Sequence, residues 1–599
     1  MALNIEDYAL ISDCHTAALV GSDGSIDWLC LPRYDSGSMF GALLGTEEHG
    51  RWLLAPVDAA ATATRSYLGD TFILSTVWTT RTGTVEVLDF MPHGDERADL
   101  VRRVRGITGI VEMRQDLRMR FGYGATIPWV RQLRSEVAHG LIAIAGPDAV
   151  VIRGPRLHAS DHHHTSSFAV SVDETVDVQM TWYPSERNAP HAVDVDAELA
   201  RTASWWSRWA VTCTHQGPYR AEVVRSMLVL RALTHEDTGG IVAAATTSLP
   251  EDFDGSRNWD YRYVWLRDAS LTLEVLLSHG YESEADDWRS WLLRSIAGDP
   301  GDVQIMYGLS GERYLPEREL TSLPGYRDAG PVRVGNGAVS QFQLDVIGEV
   351  MVALHAARKA GVGETEFSWP LQRALMQFLE ENWRRADQGI WEMRGPAREF
   401  THSRVMVWAA FDRAVRGVTE FGLDGPLDLW TRLRDDVRQD IEQRGFNIER
   451  NSYTQSFGST DVDAALLVLA QVGFCEPTDP RMLGTVAAIE ADLMRDGLLM
   501  RYRSETSVDG LAPGEHPFLA CSFWLVEQYA QSGRLDDATA LMDRLVAFVN
   551  DVGLLSEEYD VKNGHQAGNT PQALSHLALV RAADAIVAGS ASPLASLVR

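Results

Sequence analysis

The sequence predicts a chain in two parts, an N-terminal antiparallel β-sandwich followed by an (α/α)6 barrel. Three observations carry that fold class. The first third alternates apolar and polar residues with the period of strands, the period becomes helical from about residue 194, and the links between helical segments then alternate short and long. His15 to Val20 and Ser25 to Cys30, either side of Gly21-Ser22-Asp23-Gly24, read as a hairpin around a Gly/Asp turn. Thr71 to Thr79 and Thr84 to Phe90 form a second, joined across Thr82-Gly83. Leu141 to Ile144 with Val150 to Arg153, and Ser167 to Val170 with Asp177 to Trp182, continue at the regular spacing of a sandwich, which is placed over 1–193. AELARTASWWSRWAV makes 194–217 a linker helix.

Beyond it, about twelve segments pass the i, i+3, i+4 test for amphipathic helices. They lie near 218–235, 267–280, 283–297, 340–360, 367–385, 401–420, 427–443, 460–472, 480–495, 519–532, 535–549 and 572–587. Links after the even-numbered segments are short and those after the odd-numbered ones are long, the longest being 298–339. Short links join helices into antiparallel hairpins, so every long loop emerges at the same end of the assembly. The rhythm fits a closed double ring over 218–590 with a tail at 591–599. The alternative, a two-layer solenoid, lacks a motif of fixed period.

Composition narrows the function. The 599 residues include 54 Lys+Arg and 83 Asp+Glu, a formal charge of −29, which argues against nucleic acid or an anionic membrane as partner. Hydrophobic residues at 45% and charged residues at 23% exclude a disordered chain. Cys14, Cys30, Cys213, Cys475 and Cys521 form no CxxC pair and read as reduced thiols of a cytoplasmic protein. The start, MALNIEDYALISD, has no basic segment leading into an apolar core, and no uncharged apolar run approaches the length of a membrane span. Oligomeric state leaves no mark in the sequence.

The chemistry concentrates in the long loops. The first carries Asn258-Trp259-Asp260-Tyr261-Arg262-Tyr263-Val264-Trp265-Leu266-Arg267-Asp268, in which Asp268 reads equally as a sugar ligand or a helix cap. The second carries Tyr307, Glu312, Arg313, Tyr314, Glu317, Glu319, Tyr326, Arg333 and Asn336; the third, Trp391-Glu392 and Arg394; the fifth, Arg501, Tyr502 and Glu515; the sixth, Ser556-Glu557-Glu558-Tyr559-Asp560. Taken singly, loop glutamates are solvated surface. Aromatic faces, carboxylates and guanidinium groups converging on one face suit a sugar, whose C–H face stacks on rings and whose hydroxyls take bidentate hydrogen bonds. Cleaving a glycosidic bond needs two carboxyl groups and neither metal nor cofactor. Glu392 beside Trp391 suits the protonated acid, and Glu557 on the far loop suits an opposing base.

Taken in order, NWDYRYVWLRDA, GERYLPERELTSLPGY, PVRVGN, GIWEMRG…FTHSRVMVW, DGL…FLACSFWLVEQ and GLLSEEYD…GNTPQALSHLAL closely resemble glycoside hydrolase family 15. The resemblance extends from IEDYALISD and SIDWLCLPR to the last helix. The family includes glucoamylases, glucodextranases, isomaltose-cleaving enzymes and actinobacterial trehalases, and the resemblance implies a sandwich on an (α/α)6 barrel that inverts configuration. It further implies Glu392 as general acid and Glu557 as general base, with Glu558 the rival for the second role. Arg267, Asp268, Tyr261 and Trp391 would bind glucose in the −1 subsite, with Arg501 and Glu515 as further ligands there. Trp265, Arg333 and Glu558 complete the expected substrate-binding set. The expected substrate is a small α-glucoside, isomaltose or an isomalto- or malto-oligosaccharide ahead of trehalose.

Two other functions stay open. A phosphorylase would dispense with the base carboxylate, and a silent sugar-binding protein would bind without turnover. His162-His163-His164 lacks the spacing of a tetrahedral metal site and reads as a surface loop. Asp194, Asp196 and Glu198 read as charge bias at a helix start, and Asp435, Asp436 and Asp440 as a polar helix face. No GxGxxG, P-loop or GxSxG is present.

Overall fold

A computed structural model describes residues 2–93, 97–133, 139–506 and 509–591. The β domain is built on one strand, Ala98–Arg118, that belongs to two sheets. Its first half pairs with Gly83–Phe90 and Thr175–Pro184, and its second half with Arg51–Pro56 and His163–Ser171. It crosses between the sheets at Gly106 and Gly109. A Cβ on Gly106 would stand 1.9 Å from the Ser171 carbonyl oxygen, and one on Gly109, at φ +65°, 2.0 Å from that of Thr82. Between the sheets pack Leu54, Val111, Met113 and Val170 from one and Trp78, Val85, Val87 and Val104 from the other.

The hairpin Ala17–Gly21/Ser25–Cys30 and the pair Leu74–Thr79/Gly83–Phe90 form where the turn signals place them. The segments around Ser167–Val170 and Asp177–Trp182 do not pair with each other; each lies on a different half of the long strand. That strand escapes the alternation test because Arg102, Arg103 and Arg105 interrupt its apolar pattern. Arg102 is fully buried all the same, its charge met by Asp89 at 2.7 Å and by the carbonyls of Trp52 and Gly24.

Helix α1 (Val195–Ala210) follows, N-capped by Asp194, which accepts from the amides of Asp196 and Ala197. The ring is then α2 (Arg220–Ala232), α3 (Leu266–Ser278), α4 (Glu282–Ser295), α5 (Asp345–Lys359), α6 (Ser368–Asn382), α7 (Thr401–Phe421), α8 (Leu427–Asp440), α9 (Val468–Gln471), α10 (Pro480–Leu493), α11 (Leu519–Gln531), α12 (Leu535–Val546) and α13 (Ala573–Ala591). The expected helix over 460–472 shrinks to a 3-10 turn, Ala464–Leu467, leading into α9. Its first residues are spent on loop backbone instead: Gln455 N donates to the Asp461 carbonyl and Ala464 N to that of Arg501, both at 2.8 Å.

Helices α3, α5, α7, α9, α11 and α13 form the inner wall, closed by packing of α13 against α3, and the even-numbered helices lie outside. Long loops therefore enter the inner helices at their N-termini, so the positive ends of those helix dipoles gather at one face. By length and composition Ala573–Ser590 could cross a membrane, but 67% of that window is buried in the ring, as the core helix of a barrel must be. Of the expected tail, 592–599 lie outside the described residues.

The β domain buttresses the long-loop face. Arg262, fully buried, donates to Asp260 at 2.9 and 2.7 Å, to the Ser36 carbonyl at 2.9 Å and to the Tyr123 hydroxyl at 2.9 Å. Trp28 donates to the Ala245 carbonyl at 2.9 Å. The first long loop is thus pinned from below.

Candidate active site

That loop folds as a short antiparallel pair, Thr247–Pro250 with Asn258–Asp260, which carries Trp259 and Tyr261 to the mouth of the ring. There a pocket is lined by Glu251, Trp259, Tyr261, Trp265, Arg267, Asp268, Asn336, Trp391, Glu392, Arg394, Arg501 and Tyr502, with Arg257, Leu511, Phe518 and Gln572 among the rest. The residues come from the loops before α3, α5, α7, α11 and α13, which only the closed ring brings together.

Asp268 sits in the first turn of α3, but Trp265 is the N-cap and makes no side-chain capping bond. Asp268 Oδ1 instead accepts from Arg267 Nε at 2.6 Å, which removes the capping explanation. Arg267 continues to the Ile390 carbonyl at 2.7 Å and to Glu392 Oε1 at 3.2 Å. The same Oε1 accepts from Trp265 Nε1 at 3.2 Å. Glu392 has φ +50°, a left-handed conformation costing a non-glycine residue of order 1–2 kcal/mol. Gln341 fixes it by donating to the Glu392 carbonyl at 3.0 Å, and Arg394 N by donating to the Asp509 carbonyl at 2.8 Å. Burial raises the Glu392 carboxyl above its ordinary range, Arg267 opposes that, and Asp268 adds to it.

Glu557 is fully buried behind Tyr261, whose hydroxyl donates to Glu557 Oε1 at 2.5 Å. Its Oε2 has no protein partner. Gly568, at φ +74°, makes room for it, since a Cβ there would lie 2.6 Å from that oxygen. Tyr261 and Trp265 meet edge to face at 5.4 Å, so each of the two carboxyls is hydrogen-bonded to one ring of an aromatic pair. Beside Glu557 lie three more buried carboxyls. Arg501 Nη2 reaches Glu251 at 2.9 Å, Glu515 at 2.8 Å and Glu558 at 3.6 Å, and Arg257 reaches Glu515 at 3.3 Å and Asp509 at 2.7 Å. Burial first and the charge of Glu251 second push Glu557 up; Arg501 and the Tyr261 hydrogen bond pull it back. One oxygen from each of Glu251, Glu515 and Glu558 lies within 4.8 Å of the others, a set that could hold a cation; the Arg501 guanidinium already fills that role.

Comparison with known proteins decides the family. The model of glycosyl hydrolases family 15 matches residues 217–584, and that of the trehalase-like N-terminal domain matches 1–181. The chain belongs to glycosyl hydrolase family 15. It is 34% identical to a trehalase of Mycolicibacterium smegmatis over 96% of this chain and 90% of that one, and 35% identical to a trehalase of Mycobacterium tuberculosis over 96% and 89%. A trehalase of Thermoplasma volcanium is 33% identical over 97% and 93%. In fold it matches a bacterial glucoamylase crystallised with acarbose, at TM-score 0.73 and 12% identity over 98% of this chain and 94% of that one. The protein is a glycoside hydrolase with a β-sandwich on an (α/α)6 barrel.

In this family 15 hydrolase, Tyr261, Trp265, Arg267, Asp268, Trp391, Glu392 and Arg501 all border the pocket. Glu515, Glu557, Glu558 and Arg333 do not. Glu515 is spent on Arg501 and Arg257, Glu558 Oε2 accepts from the His516 amide at 2.8 Å, and Arg333 lies 4.7 Å from the Trp259 ring centroid while donating to the carbonyls of Ser256 and Asn258. Sequence reasoning missed Glu251, a loop glutamate just after Pro250 that nothing local separates from solvated ones. It is buried because its amide donates to the Arg257 carbonyl at 3.1 Å and so closes the hairpin turn toward Arg501.

Proposed function

We propose that this hydrolase is a trehalase, cleaving α,α-trehalose with inversion at the attacked anomeric carbon. Glu392 gives its proton to the oxygen between the rings. Glu557 takes a proton from a water that attacks the anomeric carbon from the opposite face, and the C–O bond breaks as the new one forms. The observation that carries the mechanism is the Glu557–Tyr261–Trp265–Glu392 arrangement. It gives the two carboxyls separate hydrogen-bond donors, Tyr261 and Trp265, on one aromatic pair that borders the pocket, which supports distinct roles for them. Glu392 rather than Glu557 suits the acid, because it borders the pocket while Glu557 stands behind it beside Arg501. Glu557 rather than Glu558 suits the base, because Glu557 is hydrogen-bonded to Tyr261 of the pocket wall whereas Glu558 is held by the His516 amide and faces Arg501.

Trehalose replaces the isomaltose-type substrates favoured by sequence reasoning because relatives similar over nearly their whole length are trehalases. This chemistry asks for no cofactor, and the five free thiols keep the cytoplasmic expectation within the proposal. The deciding experiment offers trehalose, isomaltose, maltose and dextrin and follows the first product by NMR. Inversion of trehalose gives β-glucose from the attacked ring and an equal amount of α-glucose from the leaving ring. Turnover of isomaltose or dextrin but not trehalose would overturn the substrate, and α-glucose alone from trehalose would overturn the mechanism.

A further inference from the structure

The pocket has a second half that the proposed acid and base do not use. Beyond Glu392 along the chain, Arg394 lines it together with Trp259, Asn336 and Leu511. Three other arginines border the pocket, and each is paired with carboxylates and more deeply buried than Arg394. Arg257 is held by Asp509, Glu515 and the Ala512 carbonyl, Arg267 by Asp268 and the Ile390 carbonyl, and Arg501 by Glu251 and Glu515. The Arg394 side chain is 33% exposed. Its Nη1 and Nη2 donate to the two oxygens of Glu317 at 3.1 and 2.7 Å, the fork geometry that fixes a guanidinium in plane. Its guanidinium carbon lies 4.3 Å from the Trp259 ring centroid.

Glu317 is itself anchored, accepting from the Gly337 amide at 3.0 Å and standing 3.8 Å from Arg333. Burial pushes its carboxyl up, but the Arg394 hydrogen bonds and the Gly337 amide outweigh that and hold it below the usual range, so the clamp stays charged at neutral pH. Asn336 is similarly set, its Oδ1 accepting from Ala338 N at 3.0 Å.

We infer that Arg394, clamped by Glu317 against Trp259, is a specificity-determining residue that binds hydroxyls of the second, leaving ring of a disaccharide. That this ring is the other glucose of trehalose rests on the function proposed above. Tyr261, Trp265, Arg267, Asp268 and Trp391 line the pocket together with Glu392, with Tyr261 and Trp265 holding the two carboxyls, and on the function proposed above these residues take the ring that is attacked. The oxygen between the rings meets Glu392, and the leaving ring then lies past it, where Arg394 and Asn336 supply the polar groups. A guanidinium only donates, so its ligand must present acceptor oxygens, as pyranose hydroxyls do. A side chain already fixed by Glu317 loses little freedom on binding, which makes it a selective contact and not merely an attractive one.

The test compares trehalose with α-glucosyl fluoride, which has the attacked ring and no second one, in the wild type, Arg394→Lys and Glu317→Gln. Arg394→Lys is expected to lower kcat/KM for trehalose roughly 10- to 100-fold, mostly through KM, and for the fluoride by less than about threefold. Glu317→Gln keeps the arginine but loosens it, and should show a smaller loss with the same selectivity. It carries the comparison alone if Arg394→Lys does not fold. A loss on trehalose that falls on kcat with KM unchanged would overturn the inference, since Arg394 would then act by placing Glu392, whose disturbance also spares the fluoride; so would equal losses on both substrates, or no loss on trehalose. Wild-type protein that turns over the fluoride and another disaccharide, but not trehalose, refutes the trehalase reading alone, and the same comparison then runs on that disaccharide.

Discussion

Tyr261→Phe isolates the contact that favours the ionised form of Glu557, the proposed base. The phenol is buried and its 2.5 Å hydrogen bond is the only side-chain donation to Glu557 among the described residues. A hydrogen bond to a charged group contributes about 1.5–3 kcal/mol, and one pKa unit corresponds to about 1.4 kcal/mol, so its loss raises the Glu557 pKa by roughly one to two units. The sign follows from the donor: an O–H pointed at a carboxylate favours the ionised form, and removing it favours the protonated one. A general base works ionised, so the acid limb of the kcat/KM profile should move to higher pH by that amount. At a pH below the limb the loss is about 10- to 100-fold, and above it the rate returns toward the wild-type plateau. Glucose release from trehalose measured across pH in wild type and variant gives both limbs directly. A loss uniform over all pH, or a limb that moves down, would refute the reasoning, because Tyr261 would then serve the sugar and not Glu557.

Other perturbations have equally definite outcomes. Glu392→Gln should slow trehalose hydrolysis by about 10²–10⁴-fold and α-glucosyl fluoride far less, since fluoride leaves without a proton; equal losses in steady-state assays would remove the acid role. Arg501→Leu leaves Glu251, Glu515 and Glu558 buried without their shared cation and should cost about 3–5 kcal/mol in urea unfolding at neutral pH. Glu515 and Glu558, already raised by burial, then lose the charge that opposes it, so the native state takes up protons and the deficit should shrink as pH falls from about 8 to about 5; a deficit constant with pH would contradict this. Gly568→Ala forces a Cβ to within 2.6 Å of Glu557 Oε2 at a positive φ, and should lower both the melting temperature and kcat, with KM nearly unchanged.

Much of the architecture follows from local patterns. Eleven of the expected helices form close to their ranges because amphipathic periodicity is a property of neighbouring residues, and loop alternation put the chemistry on one face for the same reason. The eighth helix was shortened by backbone bonds to Arg501 and within 455–461, partners that lie outside any local window. The strand Ala98–Arg118 was hidden by charges that only its buried partners explain. At the site, motif position singled out Glu392 and Glu557, but Glu251 and the Glu317–Arg394 clamp join residues 77 or more positions apart, which spacing cannot reveal.

The residue pattern by itself determined the two-part fold, the face that carries the chemistry and the family, because each rests on composition and periodicity within short stretches of chain. Tertiary structure alone decided which of the candidate side chains border the pocket and which support it from behind. Glu515, Glu558 and Arg333 have the same chemistry as residues that line it, and they differ only in which charged partner the closed ring places against them. Burial and pairing are set by contacts between loops hundreds of residues apart, and those exist only once α13 has closed on α3.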